Sequence, residues 1–250
     1  MTSAAAAHPG DSDQMTAART LLFNFFMAAT TVVMGILFLP ALADRRAART
    51  VTRIWARIML GGLAVICGVR HRVVGSEHIP ASGAIVAGNH QSMWETIALL
   101  ALLPRPAMVL KRELLRIPIY GWWAHRTGVP IDRHGGAKSL RKLQRETERH
   151  IARGDQIVVF PEGTRGPPGG LGPLQPGVAG MYLAAARPVT PIVHNSGEFW
   201  RHPGGAKTPG VITIRFLPPI AGKMPRREFM KRLDAALRQP PTAEGAADAL

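Results

Sequence analysis

The alternation of apolar and polar positions divides the chain into three kinds of segment. Residues 1–18 are rich in Ala, Ser, Asp and Gly with no apolar period, which predicts a tail. Residues 21–43 are almost wholly apolar and carry no charge, and their number is about that needed to cross a bilayer. A second apolar run, 58–69, contains Gly61 and Gly62 and is too short to span by ordinary means. It fits an interfacial or re-entrant helix, or a buried helix of the domain that follows.

From residue 70 the period changes. Short β-branched runs at 72–74, 84–87, 107–110, 129–131, 156–160, 189–193 and 211–216 alternate with helical stretches and with Gly and Pro punctuation, the pattern of an α/β domain. Residues 139–152 have helical spacing, with Leu140, Leu143 and Ile151 inward and Arg and Glu outward. The predicted organisation is a tail over 1–18, a membrane-anchoring helical region over 19–69, a domain over 70–238 and a second tail over 239–250.

Charge changes this picture in one respect. A formal net charge of +15 fits either nucleic acid or anionic lipid as partner. Arg45, Arg46, Arg49, Arg53 and Arg57 follow the first apolar run at once, and that order favours a membrane, so the expected partners are lipid and no nucleic acid. Ala41-Leu42-Ala43 has the form of a signal-peptidase site, but the run is longer than a signal peptide's core and the arginines come directly after it. An uncleaved anchor is the preferred reading, with everything after it on the cytoplasmic face of a bacterial inner membrane by the positive-inside rule. The single cysteine, Cys67, excludes an internal disulfide and a cysteine-based zinc site.

Two segments carry candidate chemistry. In Asn89-His90-Gln91-Ser92-Met93-Trp94-Glu95, a predicted strand end leads into a helix start, the place where α/β sheets build sites. Glu95 in the first helical turn can bend back to orient His90 as a general base. Ser92 and Glu95 also have capping-box spacing, so the carboxylate has a structural reading too. In Val158-Val159-Phe160-Pro161-Glu162-Gly163-Thr164-Arg165 a strand runs into a loop. There Arg165 offers a planar fork for phosphate, Thr164 a hydroxyl and Gly163 close backbone approach. The alternative is a plain turn with a surface ion pair between Glu162 and Arg165.

These segments, with Lys111-Arg112-Glu113, Gly128-Val129-Pro130-Ile131-Asp132-Arg133 and Val189-Thr190-Pro191-Ile192-Val193-His194-Asn195-Ser196-Gly197, occur in the order that marks the lysophosphatidic acid acyltransferases among the glycerolipid acyltransferases. The chain resembles that family over roughly 70–220. The resemblance implies a mixed central sheet flanked by helices and preceded by a membrane-embedded helix or helix pair. It implies that His90, oriented by Glu95, deprotonates the acceptor hydroxyl of a lysophospholipid, which attacks an acyl thioester carried on coenzyme A or acyl carrier protein. Arg165, Arg133 and Lys111 would hold the acceptor phosphate, Glu162, Gly163 and Thr164 would shape its pocket, and Pro191 would wall the donor side. No cofactor and no metal are expected. Glu95 stands where the family pattern has Asp, and Gln175 where related sequences often carry a lysine. A lyso-ornithine lipid is the alternative acceptor. A non-catalytic basic protein of the membrane surface or of nucleic acid is the rival of another class.

Overall fold

The computed structural model describes residues 9–132, 136–203 and 205–242. Seven strands form one sheet in the order β1-β7-β6-β2-β5-β3-β4. They are β1 Val69–Val74, β2 Ala84–Gly88, β3 Pro106–Lys111, β4 Val129–Ile131, β5 Gln156–Val159, β6 Val189–His194 and β7 Gly210–Phe216. All pairings are parallel except that of β6 with β7, so the sheet is mixed, as expected. Each expected strand is present, and the central ones, β2, β5 and β6, are apolar runs buried on both faces, as suits strands inside a covered sheet.

The helices are α1 Pro9–Leu37, α2 Arg45–Cys67, α3 Trp94–Leu102, α4 Tyr120–Thr127, α5 Gly136–Ala152, α6 Gly177–Ala185, α7 Ser196–Phe199 and α8 Arg226–Leu237. Successive strand residues point to opposite faces and so divide the core in two. Val86, Val158 and Ile192 pack with α1, α2 and α3, whereas Ile85, Ala87, Ile157 and Val193 pack with α5, α6 and α8. On α5, Leu143 is buried as expected, but Leu140 is partly exposed and the inner face is completed by Thr147 and His150. His150 can be there because its Nδ1 bonds the buried Asp155 at 2.8 Å.

The N-terminal region differs from expectation in three ways. The tail predicted over 1–18 gives way to helix at Pro9, since proline suits a first helical position and Met15, Ala17 and Ala18 are good helix formers. The apolar run over 21–43 is not one helix: α1 ends at Leu37, and a 3-10 turn, Leu39–Ala43, contains Pro40. The arginines and the short run over 58–69 belong to the single helix α2, which Asp44 caps by accepting from the backbone N–H groups of Arg46 and Ala47. Gly62 lies inside α2 because a Cβ there would stand 2.3 Å from the ring of Phe26 on α1. Residues 1–8 and 243–250 of the expected tails lie outside the described residues.

Both α1 and α2 are long and apolar enough to cross a membrane. Both are also fastened to the domain. Arg49 of α2 pairs with Asp155 at 2.6 Å, and Arg53 donates to the carbonyl of Leu103 at 2.9 Å and to that of Pro104. Midway along α1 the Lys207 ammonium, lying over the Trp200 ring, donates to Asn24 at 2.8 Å. Near the C-terminal end of α1 the Trp123 indole N–H donates to the Gly35 carbonyl at 3.2 Å. The side of α1 away from the domain exposes Leu21, Leu22, Phe25, Val33, Ile36 and Leu37.

Candidate active site

Parallel strands bring the loops after β2 and β5 to one edge of the sheet, beside the end of β6. There His90 directs Nδ1 to Glu95 at 2.7 Å, and its ring stacks on Phe160 with centroids 4.3 Å apart and planes 11° from parallel. Among the described residues His90 Nε2 has no hydrogen-bond partner, and the side chain is 16% exposed. Because an ionised Glu95 can only accept, Nδ1 carries the proton and Nε2 presents its lone pair to the opening.

Glu95 is fully buried and is met by donors from two directions. Its Oε1 accepts from His90 and from the backbone N–H groups of Gln91 and Ser92, each at 2.8 Å; its Oε2 lies 2.7 Å from the Ser92 hydroxyl and 2.8 Å from that of Ser196. Burial pushes this carboxyl up, yet the imidazole of His194 and the hydrogen bonds from His90 and Ser92 pull it further down, to about 2. The carboxylate therefore closes the helix start and orients the base together, through the same oxygen. Glutamate is long enough to do both from the first turn of α3.

The loops around it are zipped together. Asn89 donates its amide to the His194 carbonyl at 2.9 Å and accepts from the His194 N–H at 3.2 Å, while His194 Nε2 bonds the Asn89 carbonyl at 2.9 Å. Burial pushes the His194 imidazole below its ordinary value, only partly offset by Glu95. The Gly197 N–H donates to the Gln91 side chain at 3.1 Å.

Glu162 does not pair with Arg165. Its two oxygens accept from the backbone N–H groups of His90 and Gly172, both at 2.8 Å, and the Gly166 N–H donates to the His90 carbonyl at 2.8 Å. This ties the loop after β5 to the loop that carries the base. Gly163 turns the chain with φ of 76°, which a side chain would strain, and Thr164 is exposed. Arg165 reaches His202, Nη1 to Nδ1 being 3.4 Å. Lys111 is exposed at the end of β3, on the same edge; Pro191 is buried in β6, opposite Ala87 of β2. Arg133 lies outside the described residues. Sequence reasoning assigned no role to Phe160, His194 or Ser196, although all three fall inside segments it singled out.

Residues 70–195 match the family model described as Acyltransferase. The chain is 36% identical over 227 residues, 88% of each chain, to 1-acyl-sn-glycerol-3-phosphate acyltransferase of Pseudomonas aeruginosa. It is 31% identical over 168 residues, 66% of this chain and 59% of the other, to the human 1-acyl-sn-glycerol-3-phosphate acyltransferase alpha. The crystal structure of the 1-acyl-sn-glycerophosphate acyltransferase PlsC from Thermotoga maritima shares the fold, with a TM-score of 0.69 and 22% identity over 89% of this chain and 94% of that one.

Proposed function

The chain belongs to the acyltransferase family, among the 1-acyl-sn-glycerol-3-phosphate acyltransferases, and on that premise we propose that it acylates the sn-2 hydroxyl of 1-acyl-glycerol-3-phosphate to give phosphatidic acid. The observation that carries this reading is the His90–Glu95 pair, with Nε2 unengaged at the strand edge. Nε2 takes the proton of the acceptor hydroxyl as its oxygen bonds to the thioester carbonyl carbon. Collapse of the tetrahedral intermediate breaks the C–S bond, and the departing thiolate takes the proton back from Nε2. The buried Glu95 charge stabilises the imidazolium between these steps, and Phe160 fixes the plane of the ring. No acyl-enzyme is needed: Ser92 and Ser196 are committed to Glu95, and Cys67 is buried at the end of α2. The chemistry requires neither cofactor nor metal.

Arg165 and Lys111, with Arg133, would take the acceptor phosphate, and Pro191 would back the donor side. Membrane attachment follows from α1. Its contacts with the rest of the protein run from Arg19, whose carbonyl meets Cys67, to Gly35. That is a length of about 24 Å, most of a bilayer's hydrocarbon thickness. A helix bound to the domain over that length suits a position along the interface, with its exposed apolar side in lipid. The positive charge favours an anionic surface, and we place the protein on the cytoplasmic face of a bacterial inner membrane.

Purified protein in phosphatidylglycerol vesicles, supplied with lysophosphatidic acid and an acyl thioester, tests this reading. His90→Ala should abolish transfer while leaving vesicle binding intact; retained activity would remove His90 from the role of base. Arg165→Ala should raise KM for lysophosphatidic acid by about tenfold to a hundredfold, the worth of a hydrogen bond to a charged group, and leave a phosphate-free lyso-ornithine lipid unaffected.

A further inference from the structure

The half-buried guanidinium of Arg165 has no counter-ion of its own. Among the described residues no carboxylate lies within 4.0 Å of it, and its Nε is buried without an acceptor. Its side-chain partner is His202, with Nδ1 3.4 Å from Nη1. A guanidinium only donates, so Nδ1 is the lone-pair nitrogen of that ring and Nε2 carries the proton. His202 is exposed, and among the described residues its Nε2–H meets no acceptor. The pair therefore offers an anion two sets of donors: the remaining N–H groups of the fork and, one ring-width away, the imidazole N–H.

Both side chains start from fixed supports. The N–H of Gly166, next to Arg165 in the chain, donates to the His90 carbonyl at 2.8 Å, so Arg165 leaves the backbone beside the base. His202 sits on a hairpin that follows α7. Trp200 and Lys207 form an antiparallel bridge at its foot; above them the Arg201 N–H donates to the Ala206 carbonyl and the Gly205 N–H to the Arg201 carbonyl, both at 2.9 Å. The foot is fastened to α1. The Lys207 N–H donates to the Thr20 hydroxyl at 3.1 Å and its ammonium to Asn24 at 2.8 Å, while Trp200 meets Phe23 edge-on with ring centroids 5.6 Å apart. His202 thus meets Arg165 across 37 positions of sequence, from a loop held by the helix whose outer side is apolar.

Packing gives no reason for this histidine. His150 and His194, which serve the fold, are buried; His202 supports no packed surface. A long arginine side chain loses rotamer freedom when it takes a ligand, and a partner that holds the fork beforehand lowers that cost. A terminal phosphate, with three acceptor oxygens, can satisfy the fork and the imidazole together.

We propose that His202 is a binding and positioning residue for the acceptor phosphate: its Nδ1 holds the Arg165 fork in place, and its Nε2–H donates to the same phosphate. This rests on the acyl-transfer reading above, with Arg165 at the acceptor phosphate, and adds a second donor from a separate element.

The test uses the full chain in phosphatidylglycerol vesicles. His202→Phe keeps a ring and removes both nitrogens, whereas His202→Asn and His202→Gln each restore a polar group, at the nearer and the farther ring nitrogen. Kinetics are measured against lysophosphatidic acid and against the acyl thioester, with glycerol 3-phosphate as an inhibitor that reports the phosphate site alone. His202→Phe should raise KM for lysophosphatidic acid about tenfold, with kcat and the KM of the thioester held within about twofold. Inhibition by glycerol 3-phosphate should weaken in step, and Asn or Gln should recover part of the loss. In an Arg165→Ala background the effect of His202→Phe should be smaller, because one of its two roles is exerted through the missing fork. The proposal is overturned if His202→Phe leaves KM for lysophosphatidic acid unchanged while Arg165→Ala raises it, or if both substrates suffer alike. It is equally overturned if neither amide recovers anything, or if the two substitutions multiply as independent sites. An Arg165→Ala enzyme with unchanged KM removes Arg165 from the phosphate and this inference with it, whereas the base is judged by His90→Ala alone.

Discussion

Ser196 places its hydroxyl 2.8 Å from the Glu95 carboxylate across a sequence separation of 101 residues, joining the end of β6 to the first turn of α3. Ser196→Ala removes a donor from a buried charge and should lower stability by about 1–3 kcal/mol. We expect kcat to fall by about tenfold, equivalent to roughly 1.4 kcal/mol in the barrier, with KM for both substrates unchanged. Thermal melting and steady-state kinetics on the same preparation separate the two effects. An unchanged kcat would leave Ser196 with a structural role alone.

The acid limb of stability follows from two buried groups. Glu95 has a folded value of about 2 against an ordinary 4.5, so its contribution is complete above pH 4.5 and is lost as pH falls toward 2. The His194 imidazole is held below its ordinary 6.5, so the unfolded chain binds its proton first and stability declines as pH drops through 6.5. The melting temperature should therefore fall in two stages on acidification. In His194→Gln the upper stage should shrink; a melting curve identical at pH 7.5 and 5.5 in the wild type contradicts a His194 held below its ordinary value.

Phe160→Leu keeps an apolar side chain beneath the His90 ring but removes the stack. Stacked pairs contribute about 0.5–1.5 kcal/mol, so kcat should fall between roughly twofold and tenfold with little change in KM. If kcat fell by the same factor as in His90→Ala, Phe160 would have a larger part than holding a ring plane.

Arg49→Ala leaves Asp155 buried with His150 and Arg105 as its remaining partners. Loss of one partner from a buried ion pair costs about 3–5 kcal/mol, and the lower end applies where others remain. Denaturant unfolding measures it, and a loss below about 1 kcal/mol would mean that α2 is not held through this residue.

The sheet was legible because each strand is a local run, and a run of β-branched residues between Gly and Pro needs no distant partner to be seen. His90 and Glu95 were legible for the same reason, being five positions apart. What escaped was tertiary. Ser196 acquires its role only when β6 lies beside β2, and His150 enters the core only because Asp155 waits there to bond it. The continuity of α2 was missed because its first half carries arginines and its second half is apolar, a contrast that resembles a boundary when packing against the domain is not yet known.

The two fastenings of α1 also constrain how the protein can move. One lies in the loop before β7 and the other on α4, beside β3 and β4, at opposite flanks of the sheet. A body held on a single flexible stalk can tilt and bob; one pinned at two points along a rigid rod cannot. Once the rod's free side is sunk in lipid, the height of His90 above the acyl chains is set by the fold, and a substrate must bring its hydroxyl to that level rather than wait for the enzyme to lean toward it.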